Sequence, residues 1–224
     1  MGTLPSQGDR SADGAGAVGA GPAALVRPAR LADVRAVVRL YMGQPDDSRK
    51  LYHPFPFEPG KLRLIFSYMT LERPLAGLVA RLAPGWAAVL LVAVAPQDGT
   101  VLGYGTVRFE PDSRSDLRAK FGYLVGGSQR GRGIGTLIMA EMMRTGISLG
   151  ARHLGGTVLE ENIACQRVLA KYGFSVGGAA GPDLFAPGRS NLKVDLPVSG
   201  TAGPGPTRRG GPPGDPTAES AAVG

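Results

Sequence analysis

"GYLVGGSQRGRGIGTLIMAEMMRTGI", residues Gly122–Ile147, is the stretch that decides how the whole chain is interpreted. An apolar run typical of a strand leads into a segment rich in glycine and arginine, and a long helical pattern follows. The first amides of a helix lack intrahelical partners and carry the positive end of the helix dipole. The stretch therefore predicts an anion-binding site, with phosphate as the expected ligand.

Two nucleotide-binding signatures come close to this stretch and do not fit it. The P-loop pattern, laid on Gly126–Gly133, places Arg132 where a lysine belongs and Gly133 where the magnesium-binding Ser or Thr belongs. The dinucleotide fingerprint fails because the glycines of GRGIG are separated by one residue each. Neither a P-loop nor a dinucleotide-binding fold is therefore predicted.

The composition predicts one folded domain between two tails. The chain has 224 residues, of which 35 are Gly and 19 are Pro, and these are concentrated at its ends. Residues 1–22 and 199–224 are rich in Gly, Ala, Pro and Ser and lack apolar periodicity, so we expect both tails to be disordered. Residues 23–198 remain as the domain, which is long enough to bury a core.

Charge, cysteine content and hydropathy limit the partners and the cellular location that we expect for this protein. The net charge of +7 is compatible with an acidic partner. The sequence lacks the basic blocks interleaved with aromatic residues that are typical of nucleic-acid binding, so nucleic acid is not the expected partner. A single cysteine excludes an internal disulfide and favours a cytoplasmic protein. The longest apolar run, Trp86–Ala95, is too short to cross a membrane. His53 and His153 stand alone, so no metal site is predicted.

Periodicity and turn signals predict an α/β (α+β) fold: a mixed, largely antiparallel sheet flanked by helices. The predicted element order is β-α-α-β-β-β-α-β-α-β-β. Three consecutive strands are predicted before the glycine-rich segment. The first two of them form a hairpin with Asp98-Gly99 in its turn. The Gly/Pro-rich segment between the last two strands, Phe174–Val176 and Asn191–Leu196, is predicted to be a loop.

The motif RGRGIG at Arg130–Gly135, between a strand and a helix, resembles the acyl-CoA signature [QR]-x-x-G-x-[GA] of the GNAT superfamily of N-acetyltransferases. The family's second motif, N-x-x-A followed by G-F, has its counterpart in ENIACQRVLAKYGF, residues Glu161–Phe174, with Cys165 where the family has Ala. The similarity in element order covers residues 24–196. It implies that an acetyl group is transferred from acetyl-CoA to an amine of a small molecule or a protein.

The resemblance also implies which residues hold the acyl donor. Backbone amides of the glycine-rich loop would bind the pyrophosphate, and the end of the preceding strand would pair with the pantetheine arm. Asn162 would lie near the pantetheine, although a plain helix N-cap is nearly as good an interpretation. The implied residues are Leu124, Val125, Arg130, Gly131, Arg132, Gly133, Ile134, Gly135, Thr136 and Asn162.

The proton-transfer groups that the family uses are missing. Many members carry a tyrosine acid where this chain has Leu169, and one branch carries a glutamate base where this chain has Lys120. Tyr123 and Glu110 are left as candidate catalytic residues, together with the carboxylates Asp112 and Asp116 of the turn that precedes the strand. Proton loss to water is the alternative. A catalytically inactive acyl-CoA sensor or interaction module is therefore the second hypothesis.

Overall fold

The computed structural model describes residues 24–45, 58–71, 78, 82, 87–111, 116–182 and 190–198 of the 224-residue chain. Both predicted tails and the candidate catalytic residue Asp112 lie outside these residues. The order of the described strands and helices is the order predicted from the sequence. The predicted fold class, a mixed and largely antiparallel sheet flanked by helices, is confirmed.

The described strands form one seven-stranded sheet. They are β1 (Leu25–Pro28), β2 (Ala88–Val94), β3 (Val101–Pro111), β4 (Leu117–Val125), β5 (His153–Leu159), β6 (Ser175–Pro182) and β7 (Ser190–Pro197). Their order across the sheet is β1-β2-β3-β4-β5-β7-β6. All neighbours are antiparallel except β4 and β5, which are parallel because a helical crossover joins them.

Four helices whose bounds the structure describes cover the two faces of this sheet: α1 (Val34–Met42), α2 (Pro59–Leu71), α3 (Ile134–Ser148) and α4 (Ile163–Lys171). Side chains alternate between the faces along each strand, so the sheet contributes to two cores. Ile138 and Met142 of α3 pack into one core, and Leu169 of α4 joins them there. Tyr41 of α1 and Phe66 of α2 belong to the other core. We call these the α3/α4 face and the α1/α2 face.

The hairpin between β2 and β3 forms at the predicted turn. Gly99 has a φ of 72°, which glycine adopts without steric cost, and the Thr100 amide donates a 2.9 Å hydrogen bond to Asp98 Oδ1. Past the turn, Gly105 of β3 lies under α3, where an added Cβ would sit 2.7 Å from Ile138 Cγ2. The missing side chain lets α3 approach the sheet closely.

The prediction of a loop between the last two strands is partly wrong. β6 extends beyond the predicted Val176 to Pro182 and pairs with β7, with register shifts between Gly177 and Ala179 and between Ala179 and Gly181. Glycine has low strand propensity, so the sequence pattern favoured a loop. Pairing with β7 outweighs that local preference.

The β4 and β5 strands pair over only a short part of their lengths. Their register covers Arg118–Lys120 against His153–Gly155, and beyond these three pairs the strands diverge. β4 continues to Val125 while paired with β3 alone, and β5 continues to Leu159 while paired with β7 alone. A gap therefore opens between them toward the N-terminus of α3. Within the described part of the chain, no helix has the length and apolarity to cross a membrane.

Candidate functional site

A cavity of about 840 Å³ occupies the gap between β4 and β5. Its walls come from the end of β4, the second half of β5, the loop before α3 and one side of α4. Of the residues predicted to bind the acyl donor, all except Arg132 line this cavity: Leu124, Val125, Arg130, Gly131, Gly133, Ile134, Gly135, Thr136 and Asn162. The fold thus brings together two motifs that are separate in the sequence.

The loop before α3 presents bare backbone at the helix N-terminus. Gly131 and Gly133 have φ values of 75° and 78°, in the left-handed region that favours glycine. Gly133 is the N-cap, and the first intrahelical bond runs from the Leu137 amide to the Gly133 carbonyl, 3.1 Å. The amides of the first three helical residues, Ile134–Thr136, therefore have no intrahelical acceptor, and no described side chain caps them. This end of the helix is suited to an anion.

The two loop arginines are placed differently. Arg130 is exposed and lines the cavity. The Arg132 guanidinium instead donates a 2.5 Å hydrogen bond to Gln129 Oε1 and lies outside the cavity lining. Arg130 is thus the loop cation that reaches the cavity, and Arg132 contributes charge only from the surface of the loop.

The end of β4 offers its free backbone edge to the cavity. Leu124 and Val125 pair with Tyr104 and Gly103 of β3 on one side and have no described strand on the other. The Leu124 side chain is buried in the core of the α1/α2 face, so its contribution to the cavity wall comes from the main chain. An extended ligand with amide groups can pair with such an edge as an added strand.

Asn162 serves as the cap of α4 and also lines the cavity. Its Oδ1 accepts a 3.1 Å hydrogen bond from the Cys165 amide, which satisfies one of the free donors at the helix start. The two interpretations drawn from the sequence are therefore compatible in the structure.

Tyr123 and Cys165 face each other across the cavity. Both line it, one from β4 and the other from α4, and each side chain affects the pKa of the other. Burial raises the pKa of the Tyr123 phenol well above its ordinary value, and the neighbouring Cys165 adds to this increase. Burial also raises the pKa of the Cys165 thiol, although the Tyr123 hydroxyl opposes that increase. Near neutral pH both groups keep their protons, so Cys165 is a poor nucleophile.

The position of the Tyr123 ring is one reason why the motif has a glycine at residue 135. A Cβ at Gly135 would lie 3.1 Å from Cε2 of the Tyr123 ring, which is tighter than ordinary packing. Gly135 therefore lets the aromatic ring lie against the first turn of α3. Gly135 thus has two roles: it makes room for the Tyr123 ring, and its amide is a free hydrogen-bond donor.

The structure assigns a position to Tyr172 that the sequence did not predict. Its hydroxyl donates a 2.9 Å hydrogen bond to the Thr136 carbonyl, which joins the end of α4 to the first turn of α3. The two residues are 36 positions apart, and the pattern around Tyr172 carried no signal of this contact.

The structure shows where the two residues lie that replace the expected proton-transfer groups. Leu169 is buried and lines the cavity, and Lys120 lines it from β4. Lys120 Nζ lies 2.7 Å from Glu110 Oε1, and Glu110 is not part of the cavity lining. Among the residues whose placement is described, no group of three or more potential metal ligands occurs.

The fold is similar to those of solved acetyltransferases. A ribosomal-protein-S5-alanine acetyltransferase from Vibrio fischeri aligns with a TM-score of 0.63 at 14% identity, over 79% of this chain and 94% of that one. A GCN5-related N-acetyltransferase from Kribbella flavida gives 0.60 at 22% identity, over 79% and 98%. A phosphinothricin acetyltransferase from Sinorhizobium meliloti, solved in complex with AcCoA, gives 0.61 at 18% identity, over 78% and 88%.

Sequence comparison identifies the family. A search of curated protein sequences found no significant match. The model of the acetyltransferase (GNAT) domain, however, matches residues 24–175, which is more than half of the chain. Acetyl-CoA is the acyl donor typical of that family, and the unpaired amides and open strand edge of this cavity fit its diphosphate and amide-rich arm. The chain therefore belongs to the GNAT acetyltransferase family.

Proposed function

We propose that this protein is an N-acetyltransferase that transfers an acetyl group from acetyl-CoA to an amine of a small molecule or a protein. The observation that carries the proposal is the set of unpaired amides at Ile134–Thr136, placed at the mouth of the gap between β4 and β5. The amides and Arg130 would bind the diphosphate, and the free edge at Leu124 and Val125 would hold the pantetheine arm.

In the proposed mechanism, most of the rate acceleration comes from holding the thioester and the amine in position. Acyl transfer forms a bond from the amine nitrogen to the carbonyl carbon, breaks the bond to sulfur, and moves one proton from the nitrogen toward the leaving thiolate or solvent. Holding the thioester in the cavity beside the amine removes much of the entropic cost. The open cavity admits water as the proton acceptor. Glu110, the protein base predicted from the sequence, is ion-paired with Lys120 outside the cavity lining, so we favour water.

Tyr123 is the candidate group for the leaving sulfur. Its phenol is protonated throughout the physiological range because burial raises its pKa, so it can donate a hydrogen bond to a thiolate. Its neighbour Cys165 lines the same cavity and interacts with the phenol, which supports a sulfur as a suitable partner for Tyr123. A Tyr123→Phe variant would then lose turnover more than acetyl-CoA affinity.

A second candidate function is an acyl-CoA sensor without catalysis. The buried Leu169 and the ion-paired Lys120 favour it, because each stands where other family members carry a proton-transfer group. We also propose a cytoplasmic location, since the chain's single cysteine is a free thiol.

Calorimetric titration with acetyl-CoA, followed by thiol release over a panel of amines, separates these functions. Saturable binding with turnover supports the enzyme, and saturable binding without turnover of any amine supports the sensor. Absence of binding at millimolar acetyl-CoA would overturn both.

A further inference from the structure

We propose that the acceptor is a small amine that carries a carboxylate or a phosphate, and that Arg108 binds this anionic group on the α1/α2 face of the sheet. The inference rests on the proposed acetyltransferase function and adds the class of the acceptor. Its starting point is the cavity, whose lining includes Arg108 and Lys120 as well as Tyr123 and Val125.

The cavity reaches both faces of the sheet through the gap. Tyr123 and Val125 pack toward the α3/α4 core, where the glycine loop lies. Arg108 and Lys120 share the opposite face with Tyr104 and Leu124, because side chains two residues apart on a strand point the same way. The acyl donor and the acceptor can therefore approach the same gap from opposite sides.

Two described cations line the cavity on this face, Arg108 and Lys120, and Arg108 is the one without a described carboxylate partner. Arg108 and Lys120 are direct cross-strand partners, an arrangement of like charges that is unfavourable by itself. Lys120 is neutralised by Glu110 at 2.7 Å, and the neighbouring Arg118 lies 3.0 Å from Asp195 Oδ1. Arg108 forms no ion pair with any carboxylate in the described ranges, and it is exposed on the cavity wall.

The chemistry of this wall fits an anionic oxygen group. A guanidinium presents a planar fork of donors that matches a carboxylate or a phosphate in two parallel hydrogen bonds. Thr157 and Asn191 line the same cavity and add polar groups that can bind further oxygens. A bound anion would also relieve the repulsion between Arg108 and Lys120.

The proposal is tested with pairs of amines that differ in one anionic group. Phenylalanine against phenethylamine tests a carboxylate, and O-phosphoethanolamine against ethanolamine tests a phosphate. We expect wild-type kcat/KM to be at least about tenfold higher for the anionic member of one pair or both, mainly through KM. The pair that responds identifies which group is bound.

Variants of Arg108 assign the preference to this residue. Arg108→Gln should abolish the preference, and Arg108→Glu should reverse it, while acetyl-CoA affinity stays unchanged in both. Arg118→Gln is the matched control, because Arg118 lies on the same face, is already paired with Asp195 and does not line the cavity. The control should keep the wild-type preference.

The outcomes separate this proposal from the proposed function. Equal or better use of the neutral amines by the wild type, or an unchanged preference in Arg108→Glu, overturns the Arg108 assignment while leaving the acetyltransferase intact. If no amine is turned over, saturation-transfer NMR of the same amine pairs with CoA present decides the matter. Selective binding of an anionic member that Arg108→Gln abolishes supports the site, and equal binding of both members overturns it.

Discussion

The Tyr172 hydroxyl donates a 2.9 Å hydrogen bond to the Thr136 carbonyl, and this contact joins the second GNAT motif to the first. Tyr172 follows the last residue of α4, and Thr136 lies in the turn of α3 that presents the unpaired amides. The contact therefore fixes the distance between two walls of the cavity. Its importance for ligand binding can be measured separately from its contribution to stability.

Tyr172→Phe should lower both stability and acetyl-CoA affinity. Loss of one hydrogen bond to a half-buried hydroxyl costs about 1 kcal/mol, which corresponds to a decrease in Tm of a few degrees. Because the first turn of α3 is then less well held, we expect a severalfold weaker Kd by calorimetry. Wild-type affinity in a variant with decreased Tm would show that the contact serves folding alone.

Gly133→Asp should weaken acetyl-CoA binding by about tenfold or more, or roughly 1.4 kcal/mol. A Cβ at Gly133 meets no atom within 4 Å, so the carboxylate would extend into open space beside the anion site. Gly133→Asn is the matched control, because it has the same backbone strain at a φ of 78° without the charge. The Asn variant should bind more tightly than the Asp variant.

A second control isolates the strain itself. Gly150 also has a positive φ, 95°, beyond the far end of α3 from the cavity mouth. Gly150→Asp should lower Tm and leave the acetyl-CoA Kd unchanged. Equal affinities of Gly133→Asp and the wild type would show that the loop is not the diphosphate site.

Cys165 should react slowly with iodoacetamide at pH 8 and should be protected by acetyl-CoA. Burial raises the pKa of its thiol, so the reactive thiolate is scarcer than for an ordinary cysteine, and the rate should continue to rise at alkaline pH. Tyr123→Phe removes the hydroxyl that opposes this increase, so labelling at fixed pH should slow further.

Mass spectrometry measures this labelling without ambiguity, because the chain has one cysteine. Free glutathione provides the reference rate. Labelling of the wild type that saturating acetyl-CoA does not slow would place Cys165 away from the bound ligand.

The Arg27–Asp33 pair should make stability sensitive to acid. Two hydrogen bonds of 2.7 and 3.0 Å from the Arg27 guanidinium, and one of 2.7 Å from the Arg30 amide, hold the pKa of Asp33 below its ordinary value of 3.8. The contribution is complete above pH 3.8 and is lost as the pH falls through the lower, folded-state pKa. Asp33→Asn should lose about 1–3 kcal/mol at pH 7 in urea unfolding and much less at pH 2.

Gly155→Ala should destabilise the protein by about 1–3 kcal/mol or more. Its Cβ would lie 2.2 Å from the Val194 carbonyl oxygen, which is main chain in the neighbouring strand and cannot move aside cheaply. Gly177→Ala in β6 is the control, since a Cβ there meets nothing within 4 Å. The control should leave stability unchanged or raise it slightly.

Local patterns carried the predictions that succeeded. The loop before α3 and the cap of α4 depend on neighbouring residues, so the positive φ of Gly133 and the hydrogen bond to Asn162 follow from short motifs. The length of β6 depends on pairing with β7, and the environment of Arg108 depends on three strands at once. Single-sequence patterns do not encode such distant contacts, and the contact of Tyr172 was missed for the same reason.

The short register between β4 and β5 has a consequence for how the protein opens. Nine residue pairs hold β3 to β4, but only three hold β4 to β5, so the weakest seam of the sheet runs through the cavity. A ligand that contacts both sides bridges this seam, and at a hundredfold excess over its Kd it adds about 2.7 kcal/mol to the folded state. Hydrogen exchange of the β5, β6 and β7 amides should therefore slow with acetyl-CoA concentration more than that of β2 and β3. The supply of acetyl-CoA would then set the lifetime of this half of the sheet.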